Sequence, residues 1–322
     1  MECMNSFTAE KSRESAVGHF IKDFFKYKFL FIMILPGILY YLVFCYGPMF
    51  GIIIAFKDYR ISFGFSNSEW VGLKFFIKFL TNEQVYSYIV NTFLLNLYGL
   101  LWGFPMPIIF AIMLAEARST VFRKVIQTVS FLPHFVSVVV TVSIIKMVFH
   151  INEGIINRII AALGGERIDF LNSAKWFRTV FIGTGIWQNF GWDSIIYLAG
   201  IIGIDPQLYE SAMLDGANTW QKTWHITLPG IMSTISIMLI LSIGSLFSSG
   251  FDKVYLMQTG QNSVVSEVIS TYVYKRGILA SGGTYPEFSY TTAIGLSQSL
   301  VNVVLLLSAN AMARKLTESS LF

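Results

Sequence analysis

Charge is what this sequence has least of. Only 13% of its 322 residues are Asp, Glu, Lys or Arg, against roughly a quarter in an ordinary soluble domain. Cysteine is nearly absent. Cys3 precedes the first apolar block and Cys45 lies within it, so a structural disulfide is not expected. The histidines are His19, His134, His150 and His225, and none falls in a His-Glu-x-x-His or similar ligand pattern, so no metal site is expected. No Gly-x-Ser-x-Gly elbow occurs, and no catalytic residue stands out. There is no Gly-Lys dipeptide, hence no P-loop, so this chain is expected to hold no nucleotide cofactor of its own. The net charge of +4 comes without a basic patch interleaved with aromatics, which sets nucleic acid aside as a partner.

What the sequence has instead is apolar residues, 54% of the total, gathered in long blocks rather than periodic stripes. Such blocks are the mark of an integral membrane protein, with lipid as its first partner. Six are found: 29–56, 84–115, 125–145, 179–204, 226–251 and 288–313. Each is longer than the ~20 residues a span needs. Backbone groups find no water partner in lipid, so the blocks should be helices, and the short alternating segments of a β-barrel are missing. The reading is an all-α integral membrane protein of six transmembrane helices. A tail at 1–28 precedes the bundle at 29–313, and a tail at 314–322 follows it. The first tail is too long and mixed in charge for a signal peptide, so the first block reads as an uncleaved span. Pro36 and Pro48 should kink that span or mark its exits from lipid.

An even number of spans puts both termini on one side. The N-terminal tail carries Lys11, Arg13, Lys22, Lys26 and Lys28, and the second loop carries Arg118, Arg123 and Lys124. Their density places both inside. The other side has its own cations, at Lys57, Arg60, Lys74, Lys78, Lys253, Lys275 and Arg276.

The fourth loop, 205–230 within the bundle, is the most informative stretch. Asp205 suits an N-cap and Pro206 the first helical position. A helix over 206–214, a turn at Gly216 and a second helix over 218–226 should follow. The residues read E-S-A-M-L-D-G-A, then N-T-W-Q-K-T-W-H, then I-T-L-P. This resembles the EAA loop of binding-protein-dependent ABC importer permeases. Glu210, Ala212, Gly216, Ile226, Leu228 and Pro229 match in type and spacing, and Ser211 replaces the usual middle Ala. The resemblance runs from Phe31 to about Lys315. Within the sugar permeases the chain is most similar to the branch serving polysaccharide-derived oligosaccharides, through 127–137, 209–229, 250–256 and 266–274.

That resemblance implies the type I importer permease fold, with the loop as a cytoplasmic coupling helix-turn-helix. It implies docking on a cytoplasmic ATPase dimer through Glu210, Ser211, Ala212, Asp215, Gly216, Leu228 and Pro229. A shielded contact from Glu210 would contribute about 1.5–3 kcal/mol. Leu208, Met213 and Leu214 are candidates to bury against that partner. ATP and Mg would sit on the partner subunits. A second related permease and an extracytoplasmic solute-binding protein would complete the importer, in a prokaryotic inner or plasma membrane. Long outer loops, including Gly277–Glu287, would serve that docking.

Polar groups at membrane depth mark the candidate pathway. Asn189, Asp193 and Tyr197 are spaced by four on one helix face, with Gln188 and Trp192 on the neighbouring face. Gln298 and Asn302 share a face of the sixth block. Each could contact a sugar or could be polar glue between helices. Ser242, Ser245, Ser248 and Ser249, with Gly244 and Gly250, read first as residues packing against the partner permease, Asn91 as a weaker pathway candidate, and His134 beside Pro133 as a kink with a satisfied imidazole. Two other functions stay open at this point: a self-contained secondary transporter, for which Asp193 is the sole intramembrane carboxylate, and an importer permease for a non-sugar solute.

Overall fold

The computed structural model describes residues 26–248, 250–279 and 286–317. Lys11, Arg13, Lys22, Cys3, Ser249, Gly282, Gly283 and the end of the C-terminal tail fall outside the described residues. Two compact units are present, Met1–Ile53 and Ile54–Phe322.

In the first unit, α1 (Lys28–Tyr40) runs through Pro36 without ending and passes into a π-turn at Tyr41–Tyr46. None of the α1 residues is buried. The helix is apolar all round and opens a 29-residue segment, Lys28–Phe56, that is long and apolar enough to cross a membrane.

The second unit follows in order. A two-residue hairpin, β1 (Lys57–Asp58) with β2 (Glu69–Trp70), pairs Lys57 with Trp70. Then come α2 (Lys74–Thr81), α3 (Glu83–Tyr98), α4 (Pro105–Ala115), α5 (Thr120–Phe131), α6 (Val138–Val148), α7 (Ile155–Ala162) and α8 (Ala174–Ile202). Beyond these lie α9 (Pro206–Leu214), α10 (Thr219–Lys222), α11 (Met232–Gly244), α12 (Phe251–Met257), α13 (Ile269–Gly277) and α14 (Phe288–Thr317).

Proline shapes these helices in a repeated way. Pro48, Pro105 and Pro229 each follow a π-helical turn, at Tyr41–Tyr46, Gly99–Gly103 and Thr223–Thr227. A proline ring clashes with the carbonyl four residues back and leaves it without a donor. Widening the preceding turn relieves the clash while the chain stays helical.

By length and composition, three segments can each cross a membrane: Lys28–Phe56, Glu83–Ala115 and Phe288–Lys315. Two more are bent pairs. Thr120–Phe135 and Val138–Val148 meet at 102°, and Thr219–Gly230 meets Met232–Gly244 at 60°. The third block is therefore a broken span rather than a straight one. Pro133 sits in the 3-10 turn at the break, and Ser137 restarts the helix by accepting from the Val140 amide. The fourth block is α8, a single 29-residue helix. It reaches about 43 Å, but Gln188, Asn189, Asp193 and several glycines dilute its apolar run.

Three buried clusters hold the second unit together. The first joins Phe75, Phe79 and Val85 to Tyr272, Tyr290 and Ile294. The second joins Leu95, Val142 and Ile145 to Phe177, Val254 and Val268. The third joins Ile108, Ala111 and Leu114 to Leu198, Ile201 and Ile231, beside the helix-turn-helix. The long connections opposite that loop are also built structure. Asn157, fully buried, donates to the carbonyls of His150 and Ile168 and accepts from the Ile168 amide at 2.8 Å. Asn262, also fully buried, donates to Leu171 O at 2.8 Å and to Met257 O at 3.1 Å. Asn91 is part of the same framework: it donates to the carbonyls of Val264 and Glu267 and accepts from Arg178 at 2.9 Å.

Candidate functional site: an exposed elbow and a polar cavity

The elbow begins where Asp205 Oδ1 accepts from the Gln207 amide at 2.9 Å, with Pro206 in the first turn. At the other end of α9, the Gly216 amide donates to Met213 O and the Ala217 amide to Ala212 O. This double closure is a Schellman motif, and it needs a residue at positive φ. Gly216 supplies it at φ +79°. Asn218 and Gln221 then form a capping box at the start of α10, with bonds of 2.9 and 2.8 Å. Both ends of the turn are therefore locally determined.

The elbow is fastened to the bundle. Tyr209 Oη lies 3.0 Å from Thr227 Oγ1, tying α9 to the π-turn beyond α10. Ile231, fully buried, lies at the bend into α11. A Cβ on Gly230 would meet the Ile204 side chain at 2.6 Å, and one on Gly200 would meet Ile231 at 3.2 Å. The close approach joins α8 to the elbow's far side. Glu210, Ser211, Asp215, Gly216 and Pro229 are exposed, while Ala212 and Leu228 are half-buried. Leu208 and Met213 are exposed too, Leu214 is 90% exposed and Trp220 is 69% exposed. An acidic and apolar face so rigidly held and so uncovered is shaped for a protein partner.

The second feature is a cavity of about 450 Å³ between α8, the α3–α4 junction and the end of α11. One face of α8 forms a wall, with Phe181, Gly185, Asn189, Asp193 and Tyr197 recurring every four residues. Ser242 and Ser245 face it from α11, and Asn96, Gly99 and Gly103 from the α3–α4 junction. Asn189 Nδ2 donates to Gly185 O at 3.0 Å, and its Oδ1 lies 3.0 Å from Nδ1 of His134. The cavity thus offers carboxylate, amide, phenol and hydroxyl groups along an otherwise apolar wall, a mixture suited to an orientable polar solute.

The neighbouring α8 face does something else. Gln188 Nε2 reaches Val136 O at 3.4 Å and Thr141 Oγ1 at 3.3 Å. Trp192 stacks on His134, with ring centres 4.6 Å apart and planes 2° from parallel. These two residues brace the broken third span. Gln298 donates to Phe247 O, and Asn302 accepts from the Phe247 amide at 3.1 Å and donates to Ser248 Oγ at 2.9 Å. They hold the chain that follows α11 and do not line the cavity. Helix packing in this region falls to Gly244, whose missing Cβ would stand 2.7 Å from Leu306. Asn96, Gly99 and Gly103 were not singled out from sequence. The Gly-x-x-x-Gly spacing, which lets helices approach closely, was the available signal.

Residues 103–318 match the family described as the binding-protein-dependent transport system inner membrane component. Protein LplB of Bacillus subtilis is 43% identical over 295 residues, 92% of this chain and 91% of that protein. The polygalacturonan/rhamnogalacturonan transport system permease protein YteP of the same organism is also 43% identical over 295 residues, with 92% and 90% covered. Among solved structures, a bacterial alginate ABC transporter in complex with an alginate pentasaccharide-bound periplasmic protein superposes with a TM-score of 0.84. That match has 36% identity over 93% of this chain and 99% of the other. The elbow and the polar face of α8 both fall inside the matched region, and the chain belongs to the inner membrane components of binding-protein-dependent transport systems.

Proposed function

We propose that this chain forms half of the path by which a sugar or oligosaccharide enters a prokaryotic cell across its inner or plasma membrane. A binding protein delivers the solute from outside. A second, related permease supplies the other half of the path. A cytoplasmic ATPase dimer docks on the elbow, binds ATP and Mg, and drives alternating access. Both termini and the elbow then face the cytoplasm.

The observation that carries this reading is mechanical. The exposed elbow is packed against α8 on one side and continues into α11 on the other, and both helices line the cavity. A force applied to α9 reaches two cavity walls through rigid contacts. Where packed helices have two discrete arrangements, a small displacement at one end becomes a change of access at the other. A saccharide is favoured as cargo by the names of YteP and of the alginate transporter, and by a cavity rich in hydrogen-bonding groups. Membership of a binding-protein-dependent family argues against a self-contained secondary transporter.

Co-purification tests the assembly: the tagged chain should bring down an ATPase and a second permease in stable complex. Uptake tests the coupling. Glu210→Lys and Gly216→Pro should each abolish uptake, and uptake that survives both changes would end the coupling proposal.

A further inference from the structure

Lys253 stands out as a half-buried cation. It belongs to α12, beyond the fifth span, yet its ammonium reaches the opening turns of α8. Its Nζ donates to Phe181 O at 3.1 Å and lies 4.9 Å from the centre of the Phe181 ring. A Cβ built on Gly185 would be only 3.5 Å from that nitrogen. Phe181 and Gly185 both line the cavity, at the end farthest from the elbow. Where Gly185 lacks a side chain, the Lys253 ammonium lies one van der Waals contact behind the lining glycine, outside the lining itself.

Among the described residues, no carboxylate pairs with this cation. The ion pairs among them are Arg60–Asp58, Lys78–Glu287 and Lys275–Glu267. Lys253 has only a carbonyl and a ring face. Burial pushes its pKa down to about 8. A desolvated ammonium lacking a carboxylate gains more from an incoming anion than a hydrated one does, because most of the desolvation has already occurred.

The cavity is also polarised. Asp193 lies on the same α8 face as Gly185, eight residues on, which is about 12 Å along the helix. A solute with a carboxylate at one end and hydroxyls at the other would be aligned, its anion at Gly185 and its hydroxyls toward Asn189 and Asp193. We infer that Lys253 is a specificity-determining residue that reads the carboxylate of an acidic saccharide across Gly185. This rests on the reading of the cavity as the saccharide path.

The test uses the intact importer, with its partner permease and ATPase dimer, in nanodiscs without binding protein. The probes are labelled trigalacturonate and its methyl ester, which keeps the shape and loses the charge. Losing one charge-assisted contact should weaken binding of the ester about tenfold. Lys253→Met should erase that preference and Lys253→Arg should keep it. Equal affinity of the two probes for the unaltered importer would overturn the inference, as would an undiminished preference in Lys253→Met. The comparison on the unaltered importer stands even if Lys253→Met fails to assemble. Binding of neutral maltotriose with neither galacturonate probe would overturn the inference and leave the saccharide path standing. Binding of no saccharide at all would overturn both.

Discussion

A Cβ placed on Gly191 would stand 2.2 Å from the carbonyl oxygen of Ser130. At this point α8 and α5 touch backbone to backbone, and the broken third span is held against the continuous fourth. Real contacts of that length do not occur, so Gly191→Ala has to push the helices apart. The expected cost is about 1–3 kcal/mol, the range for overpacking. It should appear as a lower unfolding midpoint of the detergent-solubilised complex. Gly183→Ala is the control, since nothing lies within 4 Å of a Cβ there.

Gly216 is set by backbone geometry alone. Open space surrounds it, yet φ is +79°. A β-branched residue would strain the turn by about 1–3 kcal/mol. Gly216→Val should therefore reduce the stimulation of ATPase activity by loaded binding protein more than it reduces basal ATPase activity. Gly216→Asn, which tolerates the left-handed region, should retain most of the stimulation.

Tyr209 and Thr227 form a pair that can be dissected. Tyr209→Phe and Thr227→Val should each slow uptake modestly. The double variant should be no worse than the poorer single one, because both remove the same 3.0 Å contact. A coupling energy of about 0.5–1.5 kcal/mol in a double-mutant cycle of stability is expected. Strict additivity would mean that the hydroxyls do not act as a tie.

Asp193 and Gln298 separate cargo handling from construction. Asp193→Asn should change the apparent KM or maximal rate of uptake while expression and assembly stay near normal. Gln298→Leu leaves Phe247 O without its partner. It should lower stability by about 0.5–1.5 kcal/mol, the usual net worth of one hydrogen bond at a half-buried acceptor.

Lys253 makes stability depend on pH with a definite sign. Its folded-state pKa is near 8, below the ordinary 10.5. Between those values the unfolded chain binds the proton and the folded chain does not, so stability rises as pH rises through that window. Thermal scans from pH 8 to 10.5 should show this gain relative to Lys253→Met.

The elbow was legible in the sequence because its determinants are local. Asp205, Pro206, Gly216 and Asn218 each satisfy or terminate backbone hydrogen bonds within a few residues of themselves, so order along the chain is enough. The all-helical, membrane-spanning class was legible for a similar reason: the length of an apolar run is a one-dimensional property, and lipid leaves the backbone no alternative to helix. The relation between each proline and a preceding π-turn was less visible, since sequence marks where a helix is disturbed and not how the disturbance is absorbed. The cavity was decided only by the tertiary structure. Asn189 and Gln188 are adjacent and chemically alike, yet one lines the cavity and the other braces the third span. Ser242 faces the cavity, while two residues away Gly244 admits Leu306. Lys253 reaches Gly185, 68 positions earlier in the chain. Which face of a helix meets solute and which meets another helix depends on packing between segments distant in sequence, and no local periodicity encodes that choice.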